Sequence, residues 1–409
     1  MKKISTLVLI CITLFTKADY WTQKADFPGP LRAKPFSFSI NNKGYTGCGE
    51  ATVFMNDFWE YDQLTNVWTQ KADFGGSPRV QTVGFSIFDK GYAGLGIGFG
   101  GVHDDLWEYD PATNVWTQKT DFPAGGRNAP VGFSILDKGY AGMGVDTNYV
   151  YQTDIWEYDP LSDTWTQMQD YGGAERITEV GFTIADNAYI GLGYHSTGYQ
   201  DFWKYSKTGN TWTQVANFPA SARAQAAAFA IGNYGYAGTG NQITPNTVLK
   251  DFWRYDPVSN IWTQKTSFAG TERDETAFFS INNKGYIGLG WQNGSNLFND
   301  FWEYTPDSTT SVKEIISATG GLQFTIAPNP AKEFIVISSE FEAKKKIEIT
   351  ITDVQGKKIF GSQLHTKTLK FKLQTLNFSK GIYFVELNSA CLPGGQGQQQ
   401  KAVKRFIKE

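Results

Sequence analysis

Six arginines recur along the chain at intervals of 47 to 50 residues. A ring of guanidinium groups could hold an anionic ligand such as an acidic sugar. A periodic aspartate follows each arginine, so the two sets could equally form ion pairs that build the fold. The sequence leaves both interpretations open. The arginines are Arg32, Arg79, Arg127, Arg176, Arg223 and Arg273, and the aspartates are Asp57, Asp105, Asp154, Asp201, Asp251 and Asp300.

A second group of residues interrupts the repeat, which is where a specific function should appear. Trp291 is the one tryptophan of thirteen that has no periodic counterpart. Aromatic rings beside carboxylates suit stacking on sugar rings with hydrogen bonds to hydroxyls. The predicted ligand-binding residues are Trp291, Tyr194, His195, Tyr199, Tyr149, His103 and Glu50, and further candidates nearby are Tyr151, Asp146, Glu175, Glu179 and Glu275.

Catalytic patterns are weak by comparison. The chain has three histidines and shows no nucleophile elbow, zinc-binding helix motif or phosphate loop, so we predict neither a metal nor a cofactor. A carboxylate pair for glycoside hydrolysis could be assembled from loops, for example from Glu175 and Glu275, but the sequence does not give their separation. Binding is therefore favoured over catalysis.

A repeated hairpin in the sequence predicts the strands that must position these residues. Asp57 to Phe74 alternates as a strand, turns at Gln63 to Asn66 and returns, and similar hairpins follow along the chain. Two further short strands precede each copy, as in Gly84 to Gly96. A repeat in the forties that holds four antiparallel strands indicates a β-propeller blade, because one small sheet buries both faces only between neighbours.

The repeat residues resemble the kelch family. Gly-Tyr-hydrophobic-Gly, then Asp-hydrophobic-Trp-x-Tyr-Asp-Pro and a Trp nine residues later are most complete at Asp154 to Pro160 with Trp165. The family's usual glycine pair is replaced here by Gly-x-Gly, as at Gly94 to Gly96. Six copies of the repeat predict a six-bladed propeller, in which the twelve periodic tryptophans are packing residues. The resemblance also implies one enzymatic alternative, because some bacterial kelch propellers are sialic-acid mutarotases.

The ends of the repeat region predict how the ring closes. The last repeat stops at Thr305 without its fourth strand, whereas Tyr20 to Gln23 is a fourth strand with no repeat before it. We therefore expect a propeller over residues 19–305 whose first and last blades share a sheet, which leaves no open edge for pairing with other chains, so the propeller should be monomeric. The links between second and third strands are long and dissimilar, and we expect ligands on that face.

Charge is distributed unevenly between the two halves of the chain. Residues 19–310 carry 19 Lys and Arg against 32 Asp and Glu, whereas residues 311–409 carry 15 against 8. An acidic propeller is a poor partner for nucleic acid or for anionic lipid. The predicted partners are therefore a glycan or a protein.

The N-terminus predicts export. Lys2 and Lys3, the apolar run from Ile4 to Phe15 and the small residue Ala18 have the order of a secretory signal peptide over residues 1–18, and the run is too short to span a membrane. Three cysteines give no disulfide framework. Cys48 is expected to be a small buried side chain, with a reactive thiol as the alternative. Residues 306–321 are rich in Ser, Thr and Gly and form a predicted linker.

Residues 322–409 make a second all-β domain, which we expect to be a small β-sandwich. It resembles the C-terminal sorting domain of the Bacteroidetes type IX secretion system in Pro328-Asn-Pro330, the turn at Asp353 to Lys357, Gly381-Ile-Tyr-Phe384 and the basic end. The resemblance implies contact with the secretion machinery and a secreted or cell-surface location. Together these features predict an exported propeller that acts as a glycan-binding or other ligand-binding module, with a structural surface protein as a further alternative.

Overall fold

The computed structural model describes residues 16–309, 325–327, 334–353, 357–374, 378, 381–391 and 400–408. The chain divides into two compact units, of which one spans Thr16–Ser308 and the other begins at Thr309. Every regular element among the described residues is a strand or an isolated bridge. The signal peptide, most of the linker, the Pro-Asn-Pro opening and Gly356 lie outside the described residues, apart from residues 16–18 and 306–309.

Six four-stranded antiparallel sheets make up the first unit, and each is numbered here as a blade from its innermost strand outward. Blade 1 holds Phe36–Ile40, Lys43–Gly47, Phe58–Asp62 and Val67–Gln70. Blade 2 holds Val83–Ile87, Lys90–Gly94, Leu106–Asp110 and Val115–Lys119. Blade 3 holds Val131–Ile135, Lys138–Gly142, Ile155–Asp159 and Thr164–Gln167.

Blade 4 holds Val180–Ile184, Asn187–Gly191, Phe202–Ser206 and Thr211–Val215. Blade 5 holds Ala227–Ile231, Tyr234–Gly238, Phe252–Asp256 and Ile261–Lys265. Blade 6 holds Ala277–Ile281, Lys284–Gly288, Phe301–Thr305 and the N-terminal strand Tyr20–Gln23. The innermost strand of each blade contacts that of the next, and blade 6 contacts blade 1, so the sheets form a closed ring.

Two-residue strands supplement the blades. They are Thr16–Lys17, Arg79–Val80, Ile97–Gly98, Gly101–Val102, Asn241–Gln242, Thr247–Val248, Trp291–Gln292, Asn296–Leu297 and Ser308–Thr309. Except at the two ends of the ring, they lie in or beside the long links that leave the second strand of a blade. The face of the ring that carries these links is called the loop face below.

Neighbouring blades are joined by the hairpin residues that the repeat conserves. The indole nitrogen of Trp68 donates to the carbonyl oxygen of Ala25 at 3.1 Å, and the Asn66 side chain accepts from the Tyr61 hydroxyl and from the Ala25 amide. Each outer-strand tryptophan repeats this bond to the preceding blade. A tryptophan therefore adds a directional link to the apolar area that it covers.

The N-terminal strand closes the ring as the sequence predicts. Tyr20 to Gln23 pairs antiparallel with Trp302 to Thr305. Trp21 donates from its indole nitrogen to the Thr266 carbonyl of blade 5 at 3.0 Å. Asp19 takes the role that Asn66 has in blade 1, because it accepts from the Thr266 amide and from the Tyr304 hydroxyl. The closing blade thus reproduces the contacts of the other blades with residues from both ends of the repeat region.

The Gly-x-Gly ending of the second strand has a steric cause. A Cβ on Gly142 would overlap the Asp154 carbonyl oxygen of the adjoining strand, so the first glycine has no room for a side chain. Met143 and Gly144 then both take left-handed backbone angles, with φ of 58° and 75°. Two successive left-handed residues turn the chain into the loop face, and a glycine at the second lowers the strain. In blade 1 the middle residue is Cys48, which is fully buried and lies one residue beyond its strand.

The second unit is all-β among its described residues. Phe334–Asp353 forms one long strand with a register shift between Glu340 and Lys345. It pairs with Thr325–Ala327, Lys358–Gln374 and Gly381–Cys391, and the last of these pairs with Gln400–Lys408. The strands therefore form one hydrogen-bonded network, in which the register shift divides the long strand into two segments. Alternate residues such as Ile347 and Ile349 are buried.

Candidate functional site

The six arginines lie just before the innermost strands, and each is buried against the aspartate that begins the third strand of its blade. Arg223 is representative: its two terminal nitrogens donate to the two oxygens of Asp251 at 2.7 and 2.9 Å. One of them also donates to the Thr239 carbonyl at 3.0 Å, and Nε donates to the Ser221 carbonyl at 3.1 Å. The Phe218 ring stacks on the guanidinium at 4.8 Å. The guanidinium is thus surrounded by partners within its own blade.

The same arrangement recurs around the ring. Arginine and aspartate form two hydrogen bonds in the blades of Arg32, Arg79, Arg176 and Arg273, while Arg127 makes one to Asp154 and two to the carbonyls of Ala124 and Gly125. Each aspartate also accepts from the indole of the tryptophan two residues later. At most 3% of any of these arginine side chains is exposed. This geometry corresponds to the ion-pair alternative, because each of the six guanidinium groups is bound to the aspartate of its own blade.

Two residues beyond each arginine, the chain reaches the axis of the ring. The six residues at this position all have left-handed backbone angles, with φ between 51° and 58°. Backbone hydrogen bonds connect several of them from blade to blade, such as Lys34 N to Glu275 O at 3.0 Å and Glu275 N to Gln225 O at 3.1 Å. The left-handed turn lets each amide reach the neighbouring blade. These residues, named the axial ring, are Lys34, Gln81, Ala129, Thr178, Gln225 and Glu275.

A cavity of about 130 Å³ opens at the axial ring. It lies on the axis, since all six blades contribute to its lining. Hydroxyl, amide, carboxyl and ammonium groups share this lining with apolar surface from Pro35, Pro130, Val180 and Phe278. A lining that combines polar groups with apolar surface is typical of a small-molecule site. The residues that line it one position after the axial ring are Pro35, Thr82, Pro130, Glu179, Ala226 and Thr276.

One side of the cavity is organised around an ammonium group. Lys34 Nζ lies 2.6 Å from Glu50 Oε1 and 3.8 Å from Glu275 Oε2, and Gln225 donates to the other oxygen of Glu275. Burial raises the pKa of Glu275 to about 8, although Lys34 acts in the opposite direction. Lys34 also lies over the Trp291 ring at 4.8 Å from its centroid. Acid, base and aromatic surface therefore meet at one edge of the cavity.

The opposite side holds a carboxyl group without a hydrogen-bond partner. Neither oxygen of Glu179 has one within the described part of the protein, and both are closed to solvent. Burial raises the pKa of this carboxyl to about 8, and the nearest cation, Arg176, already binds Asp201. Glu179 is therefore mostly protonated at neutral pH. Two carboxyl groups of the cavity can thus release or take up a proton near pH 8.

Three of the predicted ligand-binding residues lie at one repeat position beside the axial ring. Backbone bridges join Glu50 to Ala33, Tyr194 to Ile177 and Trp291 to Asp274, which places each next to an axial residue in its blade. Tyr194 packs on a cluster that includes Ala129, and burial, with Tyr151 and Glu275, raises the pKa of its hydroxyl. This second set, named the outer ring, consists of Glu50, Ile97, Val145, Tyr194, Asn241 and Trp291.

The other four predicted residues are not gathered at the cavity. His195 stacks on Tyr151 with 4.0 Å between ring centroids. Tyr199 covers the Arg176 guanidinium at 4.0 Å. His103 lies 3.4 Å from the Ser77 hydroxyl, and Tyr149 extends into solvent with 87% of its surface exposed. None of the seven predicted residues lines the cavity itself, although Glu50, Tyr194 and Trp291 lie beside the axial ring, so a single site built from all seven stays a prediction.

Sequence reasoning missed most of the axial ring. Lys34, Gln81, Ala129, Thr178 and Gln225 were not among the candidates, whereas Glu179 and Glu275 were. A signal was present: the position two residues after each periodic arginine holds a different residue in nearly every blade. Variation at a fixed repeat position is where a ring of similar blades can become specific.

The fold and its tail define an exported β-propeller protein. Residues 325–409 match the family described as the secretion system C-terminal sorting domain, so the predicted sorting tail is confirmed. Its localisation is therefore outside the cell or at the cell surface, and the domain implies contact with the secretion machinery. The described residues contain no helix with the length and apolar character needed to cross a bilayer.

A solved structure supports the fold of the first unit. The structure titled "Structure of YjhT" is similar to this chain, with 17% sequence identity and a TM-score of 0.60. The similarity covers 70% of this chain and 98% of that one, and it confirms the all-β propeller fold. No curated protein matches the sequence.

Proposed function

We propose that the exported propeller is a binding module and that its ligand is a glycan held in the axial cavity. One observation carries this proposal: the repeat keeps its tryptophans, arginines and aspartates in every blade but varies at the axial and outer rings. Residues that vary around a cavity on a uniform scaffold are free to fit a ligand. The lining offers hydroxyls and amides for sugar hydroxyls, with proline and phenylalanine surface for the apolar faces of a sugar ring.

The experiment is a glycan array on the purified protein, followed by calorimetry with any sugar that binds. Trp291→Ala should lower affinity by about 1–3 kcal/mol if its ring stacks on the ligand. Thr276→Val should also weaken binding, since it removes a cavity hydroxyl at nearly constant volume. Tyr149→Ala is the control, because this exposed residue lies away from the cavity.

Thermal melting of every variant separates lost binding from lost stability, and Trp253→Ala, which should lower stability by opening a core cavity, shows the size of the second effect.

Two results would change the proposal or contradict it. Affinity that survives Trp291→Ala and Thr276→Val but is lost in folded Arg176→Ala and Arg273→Ala proteins would assign the site to the arginines. An array with no bound glycan, confirmed by calorimetry, would leave a structural surface role.

A sugar-active enzyme of the mutarotase type is the second candidate. The supporting observation is that Glu179 and Glu275, whose carboxyl pKa values are both raised to about 8, line one cavity. Such groups can donate or accept a proton at a sugar near neutral pH. The test follows anomer interconversion by NMR in the wild type, Glu179→Gln and Glu275→Gln. Loss of rate in both variants, with retained affinity, would support catalysis.

A further inference from the structure

The unused hydrogen-bonding capacity of the axial cavity consists of oxygen atoms. Five buried oxygens of lining side chains have no partner within the described part of the protein: Thr82 Oγ1, Thr276 Oγ1, Glu275 Oε2 and both carboxyl oxygens of Glu179. Three of them are carboxyl oxygens, which accept hydrogen bonds when ionised. The two hydroxyls can donate as well as accept, whereas an ionised carboxylate only accepts, so a ligand that brings donors and a positive charge would satisfy the carboxyl groups.

The cationic donors at the cavity, and the amide of Gln225, are already engaged. Lys34 Nζ is bound to Glu50 and lies close to Glu275, and the Gln225 amide donates to Glu275. The guanidinium behind Glu179 belongs to Arg176, which donates to Asp201 and to the Leu192 carbonyl. A ligand carboxylate would therefore find no free cation here, and it would approach Glu179 and Glu275 directly.

Carboxyl groups outnumber cationic groups in and around the cavity. Lys34 is the one lysine or arginine of the cavity lining, and it faces Glu275 and Glu50, with Asp274 adjacent. Glu179 lies across the cavity with no cation of its own. Ionisation of Glu179 on ligand binding would be stabilised by a positive group placed against it, through a charge-assisted hydrogen bond.

We propose that the axial cavity takes a ligand that carries an ammonium group, placed against Glu179. If the ligand is a sugar, it is a hexosamine with a free amine rather than an acidic sugar. The sugar part of this statement rests on the proposed function, whereas the ammonium part rests on the cavity alone. N-acetylation of the amine removes both the charge and two of its donors, so it should abolish the preference.

The test is calorimetric titration of the purified full chain near neutral pH. The probes are glucosamine, N-acetylglucosamine, glucose and glucuronate, with ethanolamine as an amine that is not a sugar. Glucosamine is expected to bind about 10- to 100-fold more tightly than the neutral sugars and glucuronate. Glu179→Gln should remove that preference. Glu175→Gln is the matched control, because this neighbouring carboxylate is half exposed and does not line the cavity.

Each outcome decides between the two proposals. Equal binding of glucose and glucosamine, or tighter binding of glucuronate, overturns the ammonium inference and leaves glycan binding intact. Binding of ethanolamine without any sugar supports the inference and contradicts glycan binding. No binding of either amine up to about 10 mM, a range that includes weak ligands, overturns the inference. If Glu179→Gln fails to fold, Thr82→Val tests the same cavity and should weaken amine binding several-fold.

Discussion

At the scale of single residues, the periodic arginines show that a pattern typical of ligand binding can be structural. A ring of guanidinium groups suggests anion binding, but in this protein each guanidinium is paired with an aspartate of its own blade. Arg223 and Asp251 meet through two hydrogen bonds at the point where the inner and third strands of a blade begin. Because the Asp251 carboxylate also accepts from the Trp253 indole, one ion pair fixes three segments of the blade.

We expect replacement of a periodic arginine to destabilise the propeller strongly. Arg223→Ala leaves Asp251 partly buried without its counter-charge, which should lower the free energy of unfolding by about 3–5 kcal/mol. Arg223→Lys keeps the charge but loses the two-pronged geometry, so it should not restore stability fully. The measurement is denaturant unfolding. Lys138→Ala is the control, since it removes a more exposed ion pair with Asp159 and should change stability by less than about 1 kcal/mol. Equal losses in both variants would contradict the structural role.

The buried carboxyl of Glu179 predicts a pH-dependent stability. Its pKa is raised from 4.5 to about 8 by burial, so the folded protein keeps a proton that the unfolded chain releases. The stabilisation is present below about pH 4.5 and is lost progressively as the pH rises to about 8. Unfolding should therefore become easier by about 1–4 kcal/mol across this range, and Glu179→Gln should reduce the dependence while the part due to the raised pKa of Glu275 remains. Glu175→Gln, measured by the same denaturant titrations, should retain it. A wild-type stability that rises from pH 5 to pH 8 would contradict the buried, unpaired state.

At the scale of elements, the N-terminal strand closes the ring by completing blade 6. Tyr20–Gln23 supplies the outer strand of blade 6 and carries Trp21, whose ring packs on Phe252, Phe268 and Tyr304. Without it, the third strand of that blade would become an exposed edge. Such an edge invites pairing with other chains.

Deletion of residues 19–26 should therefore cause aggregation or a large loss of thermal stability. A finer version compares Asp19→Ala with Asn66→Ala, which occupy equivalent positions in blades 6 and 1. Each variant loses bonds to the preceding blade and should cost about 1–3 kcal/mol in unfolding free energy. Thermal melting and light scattering give the readouts. A deletion variant that melts like the wild type would rule out closure by this strand.

At the scale of the whole molecule, the two units have separate tasks. The propeller is acidic and carries the cavity, whereas the basic tail matches a sorting domain and determines where the protein goes. Binding tests on the cavity and export tests on the tail can therefore be made independently. The division of the chain at Ser308 gives a natural junction for such experiments.

A fusion of residues 311–409 to an unrelated periplasmic reporter should reach the surface in a host with type IX secretion. The reason is that the sorting match lies entirely within this segment. Cell fractionation and surface proteolysis measure the outcome, with a known sorting domain as the positive control. Retention of the reporter in the periplasm, while the control is exported, would mean that the tail needs the propeller for recognition.

The sequence by itself determined the features that recur. Strand alternation and the glycine and tryptophan spacing specify the blades, since local pattern and neighbour packing require the same residues each time. The orphan strand at Tyr20 and the missing one after Thr305 specified closure. The tail motifs, including Gly381 to Phe384, indicated export. These are local or periodic signals, which need no knowledge of distances between remote residues.

Only the tertiary structure decided which residues from distant parts of the sequence lie close together. Lys34, Glu179 and Glu275 are far apart in the sequence, and only ring closure with a left-handed turn in every blade brings them to one axis. Folding of blade 4 pairs Arg176 with Asp201, and Tyr149 is exposed away from the cavity, so aromatic composition alone overestimated the site. The long strand Phe334–Asp353 likewise depends on a bulge that the sequence pattern does not reveal. Burial and pairing follow from contacts between distant segments, and a repeat fixes those contacts only once the ring has closed.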